Sequence, residues 1–173
     1  QNKRIFVEKR GIFDVESPKI FDEVKAVVSS IQSVKVYNIY DIFGLNNGEF
    51  EKVVKSTFVD PVTDILHEEN PAKGIYFAME FLPGQYDQRA DSAQQCIALL
   101  TENEKSKVRS GKLIEFEGVS ESDLVKIKDL LLNKVESQEK DLSILDIPAE
   151  ETPSKVIVHE NFINFDDVQL EEF

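Results

Sequence analysis

The sequence predicts an α+β fold of two ferredoxin-like halves, each running strand-helix-strand-helix-strand, paired as an internal pseudo-dimer. Three observations predict it. Period-two apolar runs alternate with stripes at helical spacing over residues 1–140. Their order repeats on either side of a break at Asn70-Pro71-Ala72-Lys73-Gly74. Corresponding positions keep a steady offset: Ile5 and Tyr76 lie 71 positions apart, and Phe50 and Ser122, like Thr63 and Val135, lie 72 apart. Residue identity between the halves is poor, so the repeat rests on order and spacing. A mixed sheet with helices on one face buries such stripes, and two such units invite sheet-to-sheet or edge-to-edge pairing.

Arg4–Glu8 reads as the first strand, with Ile5 and Val7 on one side. Ser17-Pro18 marks a helix start, a capping hydroxyl followed by a proline, and Ile20, Phe21, Val24, Val27, Val28 and Ile31 continue one apolar face. In the strand Val34–Ile42, the even positions share one side and the odd positions the other. Asn46-Asn47-Gly48 reads as a turn, Phe50 to Phe58 as a short helix, and Val62–Leu66 as a third strand. The second half follows with a strand at Ile75–Phe81, a turn at Pro83-Gly84, and a helix at Asp87–Thr101 capped by Asp87. A strand at Val108–Glu117 comes next, then a capping box at Ser120–Asp123 that opens a helix bearing Leu124, Ile127, Leu130 and Leu131. A last strand is expected at Val135–Gln138.

The chain has 173 residues, 41% of them hydrophobic, and a formal net charge of −13. That suits one compact body with an acidic tail, and no basic stripe recommends nucleic acid or an anionic membrane as a partner. The single cysteine, Cys96, excludes an internal disulfide framework and fits a reducing cytoplasm. No apolar run reaches the roughly 18 residues of a spanning helix, and the chain opens directly into a strand.

Cys96 sits mid-helix with no histidine beside it in sequence, so a structural thiol is expected rather than an activated nucleophile. His67-Glu68-Glu69 and the distant His159 lack metal-ligand spacing. Gly111-Lys112 lacks the other residues of a phosphate loop, and Glu115 and Glu117 read as a solvated strand face. Catalytic and metal-binding residues are therefore expected to be none. The stretch with the densest functional character is the polar face of the central helix: Gln85, Asp87, Gln88, Arg89, Asp91 and Ser92. Its plain reading is a solvated helix face. The crowding of amide, carboxylate and guanidinium groups, with the planar fork of Arg89, supports an interdomain docking face instead.

Eleven consecutive residues that include these six, Pro83-Gly84-Gln85-Tyr86-Asp87-Gln88-Arg89-Ala90-Asp91-Ser92-Ala93, carry a resemblance. They are similar to a signature in the N-terminal region of phosphoribosylformylglycinamidine synthase, the large single-chain glutamine amidotransferase of purine biosynthesis. Arg4-Ile5-Phe6-Val7-Glu8-Lys9, Val36-Tyr37-Asn38-Ile39-Tyr40-Asp41 and Val135-Glu136-Ser137 extend the resemblance over residues 3–142, with a weaker echo over 156–173. Lys134 departs from the pattern, which has proline there. The resemblance implies a parent ligase that takes ammonia from glutamine and joins it to formylglycinamide ribonucleotide with ATP and magnesium. The catalytic residues of both steps would lie beyond residue 173, leaving this piece without catalysis or a cofactor of its own. It implies a resemblance of residues 1–140 to a dimer of the separate small subunit, and the synthetase and glutaminase domains of the same polypeptide as partners.

From Asp141 the composition turns acidic. Pro148 to Ser154 reads as a linker, Val156-Ile157-Val158 as an added edge strand, and Asp166–Phe173 as the opening of a helix cut short. Residues 141–173 are thus expected to form a linker and the start of a helical linker domain. An alternative from another class is a free-standing ferredoxin-like regulatory module that binds a small molecule.

Overall fold

A computed structural model of the chain describes residues 2–133 and 135–145. Ten elements follow in order: β1 (Asn2–Lys9), α1 (Glu16–Lys25), β2 (Ser33–Phe43), α2 (Asn47–Val53), β3 (Asp64–His67), β4 (Ile75–Phe81), α3 (Gln88–Thr101), β5 (Lys107–Glu117), α4 (Glu121–Leu131) and β6 (Ser137–Glu139). The fold is α+β. The strands form one antiparallel sheet in the order β3-β1-β2-β5-β4-β6. Its centre is the pairing of β2 with β5, which runs without interruption from Ser33 opposite Glu117 to Phe43 opposite Lys107. Outward from that pair the order is β1 then β3 on one side, and β4 then β6 on the other.

Because cross-strand partners share a face, the pleat gathers the apolar residues of one face into two clusters. Ile5, Val7, Tyr40 and Ile42 meet α2 and α3 through Phe50, Val53, Ala90, Ala93 and Ile97. Val36, Phe77, Ile114 and Phe116 meet α1 and α4 through Ile20, Val24 and Ile127. The helices therefore lie on one face of the sheet, and each cluster joins a helix of the first half to one of the second. Phe77 and Phe116 stack with ring centroids 6.0 Å apart.

Local chemistry decides the helix ends. Asp87 caps α3, its Oδ1 accepting the Ala90 N–H at 3.0 Å, and Ser120 with Asp123 forms the expected capping box of α4. Ser17 differs from expectation. Its hydroxyl lies inside α1 and accepts the Val36 N–H at 2.9 Å, while Asp14 accepts the Ser17 N–H at 3.0 Å. Asn46, read as part of a turn, is an N-cap that shares a capping box with Glu49. The helix that follows widens into a π-helical turn at Val54–Phe58. The strands of the outer positions shift as well: β3 begins at Asp64 rather than Val62, and β6 at Ser137 rather than Val135.

The second face of the sheet carries Phe6, Tyr37, Ile39, Ala78 and Leu113, covered in part by Ala72 and Leu142. Charged groups are buried beside them. Asp41 is 3% exposed and Lys140 8%. Arg4 grips Asp41 at 2.6 Å through Nε and 3.0 Å through Nη2, and donates to the carbonyls of Leu142 and Ile144. Lys140 Nζ reaches Asp41 at 2.8 Å and Glu80 at 3.0 Å. Gly111 makes that crossing possible, since a Cβ there would stand 2.7 Å from the Met79 carbonyl and 3.4 Å from Lys140 Cδ. Asp141–Leu145, assigned by composition to the linker, thus lies against the body. The rest of the proposed linker, the edge strand at Val156-Ile157-Val158, His159 and the helix start at Asp166–Phe173 fall outside the described residues.

At the β1–β3 edge, Lys35 Nζ bridges Glu8 at 3.1 Å and Asp14 at 3.2 Å, and His67 Nε2 lies 2.8 Å from Glu8. Burial raises both carboxyls, but the hydrogen bonds of His67 and Lys35 to Glu8, and of Ser17 and Lys35 to Asp14, outweigh it and hold them below their ordinary 4.5 and 3.8. A depressed folded value stabilises above the unfolded value and is lost as pH falls through the folded one. Lys35→Met is therefore expected to lower the melting temperature at pH 7 while changing it little at pH 2. An equal drop at both values would show that Lys35 acts through its packed stem alone. Among the described residues, no helix is long and apolar enough to cross a membrane.

Candidate functional site

The first two turns of α3 border a cavity of about 580 Å³. Helical spacing builds one wall. Gln88, Ser92 and Cys96 stand four apart in one row, and Arg89 and Ala93 occupy the next. The opposite wall comes from the last residues of β4, Met79 and Phe81, and from Ser110 to Lys112 of β5. Glu80 of β4, Ser137 of β6, Tyr40 of β2 and Thr57 of the π-helical turn complete it.

The six residues singled out in the sequence part company here. Gln88, Arg89 and Ser92 line the cavity. Asp87 serves the fold: Oδ2 accepts the Ser110 N–H at 2.9 Å and Oδ1 the Ser110 hydroxyl at 2.7 Å, tying the start of α3 to β5. Asp91 accepts from the Tyr86 hydroxyl at 3.0 Å and from Gln95 at 3.1 Å, a local arrangement on the exposed side. Gln85 is exposed in the turn before the helix, where its N–H bonds to the Leu82 carbonyl at 3.1 Å.

Arg89 is the cation of the site. Its Nη1 donates to the Asn38 side-chain carbonyl, which anchors the guanidinium over β2. Among the described residues no carboxylate lies within ion-pair distance of it. Lys112, the other cation on the wall, is paired with Glu16. Burial pushes the Tyr40 hydroxyl above its usual range, against the lowering influence of Arg89, so this phenol keeps its proton at neutral pH. The Thr57 Oγ1 is buried without a hydrogen-bond partner.

Three further features refine the sequence reading. Cys96, expected to be a structural thiol, is exposed and borders the cavity. Its place in the row with Gln88 and Ser92 was visible in the spacing. Thr57 had no such signal, because only the π-helical turn brings it to the cavity. Glu115, read as part of a solvated face, accepts the N–H groups of Lys73 and Gly74 at 2.9 and 3.0 Å and so fastens the loop before β4. Its charge, after burial and together with Glu8, pushes Tyr37 up to about 12. Among the described residues, no group of three or more His, Cys, Asp or Glu side chains could hold a metal ion.

Comparison with known proteins finds no matching family model and no curated protein of detectable sequence similarity.

Proposed function

We propose that this chain is the N-terminal structural and coupling domain of a phosphoribosylformylglycinamidine synthase. The observation that carries the reading is the eleven-residue stretch Pro83–Ala93, which resembles that family's signature and forms the turn and first turns of α3. The domain is non-catalytic and needs no cofactor. Its partners are the synthetase and glutaminase domains of one longer cytoplasmic polypeptide, where ATP and magnesium serve the ligase step. The finer architecture belongs to the same proposal: two ferredoxin-like halves in residues 1–140 joined at the β2–β5 pair, followed by a linker. The matching strand orders outward from that pair favour it.

In this role the rim of the cavity beside α3, with Arg89 and Gln88, docks a partner domain. Losing one member of a charged interface pair commonly costs about 2–5 kcal/mol. Arg89→Ala in the full-length enzyme is expected to reduce glutamine-dependent synthesis about tenfold or more, with synthesis from added ammonia retained. Equal loss of both activities would reject the coupling role. The alternative, a free-standing regulatory module, is favoured by one observation, the cavity beside α3. The coding sequence after Phe173 separates the two, because only the first requires synthetase and glutaminase segments there.

A further inference from the structure

We infer that the cavity beside α3 is a binding site for a small apolar monocarboxylic acid. The inference does not depend on the chain being part of an amidotransferase.

The cavity volume of about 580 Å³ lies within the roughly 300–1,000 Å³ of small-molecule sites. Its chemistry is divided. Met79, Phe81 and Ala93 supply apolar surface, which suits a hydrocarbon or aryl body rather than a sugar. On the α3 wall stands Arg89, a guanidinium with no carboxylate partner among the described residues, in a chain whose net charge is −13. In such a chain an arginine usually finds an acid, and here its anchor is the neutral amide of Asn38. The guanidinium N–H groups left beside Asn38 and the Tyr40 hydroxyl match a carboxylate. Ser92 and Gln88, one turn apart, add neutral donors to the same rim.

The buried, unpartnered Thr57 hydroxyl is the second sign. Burying a hydroxyl without a partner costs free energy, and Thr57 lines this cavity with its Oγ1 closed to water. A dianion such as a phosphate monoester fits less well. Glu80, the carboxylate that lines the cavity, is engaged by Lys140, Asp87 lies at the helix start, and the Lys112 charge is already engaged by Glu16.

The test uses 4-phenylbutyrate as the probe on the 173-residue chain, with 4-phenylbutanol as its uncharged counterpart. Calorimetric titration is expected to show saturable one-site binding of the acid. Amide shifts should concentrate at residues 57, 79–81, 88–96 and 110–112, and alkylation of Cys96 by iodoacetamide should slow as the site fills. Arg89→Met should weaken the acid about tenfold to a hundredfold, the usual loss for a hydrogen bond to a charged group. It should bring the acid level with the alcohol. Should that variant fail to fold, Arg89→Lys, which keeps the charge without the fork, is expected to weaken the acid severalfold. Absence of saturable binding, or an affinity that neither Arg89 variant alters, would overturn the site. So would equal affinity for acid and alcohol in the unaltered chain. Failure of the coupling experiment with intact probe binding rejects only the docking role.

Discussion

Replacing Asp41 with alanine is expected to remove about 3–5 kcal/mol of folding stability, the usual cost of stripping one partner from a buried ion pair. Asp41 holds two cations at once, the Arg4 fork at 2.6 and 3.0 Å and the Lys140 ammonium at 2.8 Å. Without it, Lys140 keeps Glu80 at 3.0 Å. Arg4 keeps the carbonyls of Leu142 and Ile144, which balance no charge, and only the weaker, more distant attraction of Asp141. The Arg4 side chain is only 10% exposed, so water does not replace the lost carboxylate without local opening. Thermal unfolding should show a fall in melting temperature on the order of 10 °C. Glu80→Ala should cost less, because Lys140 would retain Asp41. A loss below about 1 kcal/mol for Asp41→Ala would place the pair among surface salt bridges and sink the account.

Gly118→Ala is expected to cost about 2–5 kcal/mol, in two parts. Gly118 has φ +84°, which charges a residue with a Cβ about 1–2 kcal/mol. Its Cβ would also stand 2.5 Å from the Ser30 carbonyl and 2.8 Å from the Gln32 N–H nitrogen, crowding worth about 1–3 kcal/mol more. The backbone cannot retreat freely, because Ser30 Oγ donates to the Gly118 carbonyl at 2.7 Å and Gln32 N–H to Glu117 at 2.8 Å. Gly84 supplies the comparison. It has φ +90° but nothing within 4 Å of its missing Cβ. Gly84→Ala should therefore show the backbone cost alone in denaturant unfolding. Equal losses at both positions would mean that the contact with Ser30 relaxes and only the dihedral matters.

Elements whose signals are local were legible in the sequence. Asp87 and the Ser120–Asp123 box cap the helices as expected, since a cap needs only a side chain and an N–H three residues away. Ser17 misled because its hydroxyl had a competing use, the Val36 N–H on a strand far along the chain. Asn46 misled in the other direction: turn composition and N-cap composition are the same residues. For the candidate site, the row Gln88–Ser92–Cys96 could be read from spacing. The selection of Gln88, Arg89 and Ser92 over Gln85, Asp87 and Asp91 could not, since it depends on which side of α3 faces β4 and β5.

The sequence by itself determined the α+β class, the order of the elements and the division of each strand into two faces, because periodicity and capping act within a few residues. It also carried the resemblance of Pro83–Ala93, which lives in residue identity alone. Only the tertiary structure decided that the odd-numbered face of β2 is buried as deeply as the even one. Alternation put Asp41 on that face without saying what covers it, and Lys140 and Arg4 close over it from positions distant in sequence. It likewise decided that the cavity exists, because a gap between α3 and the ends of β4 and β5 is a property of packing in three dimensions and leaves no local pattern in the chain.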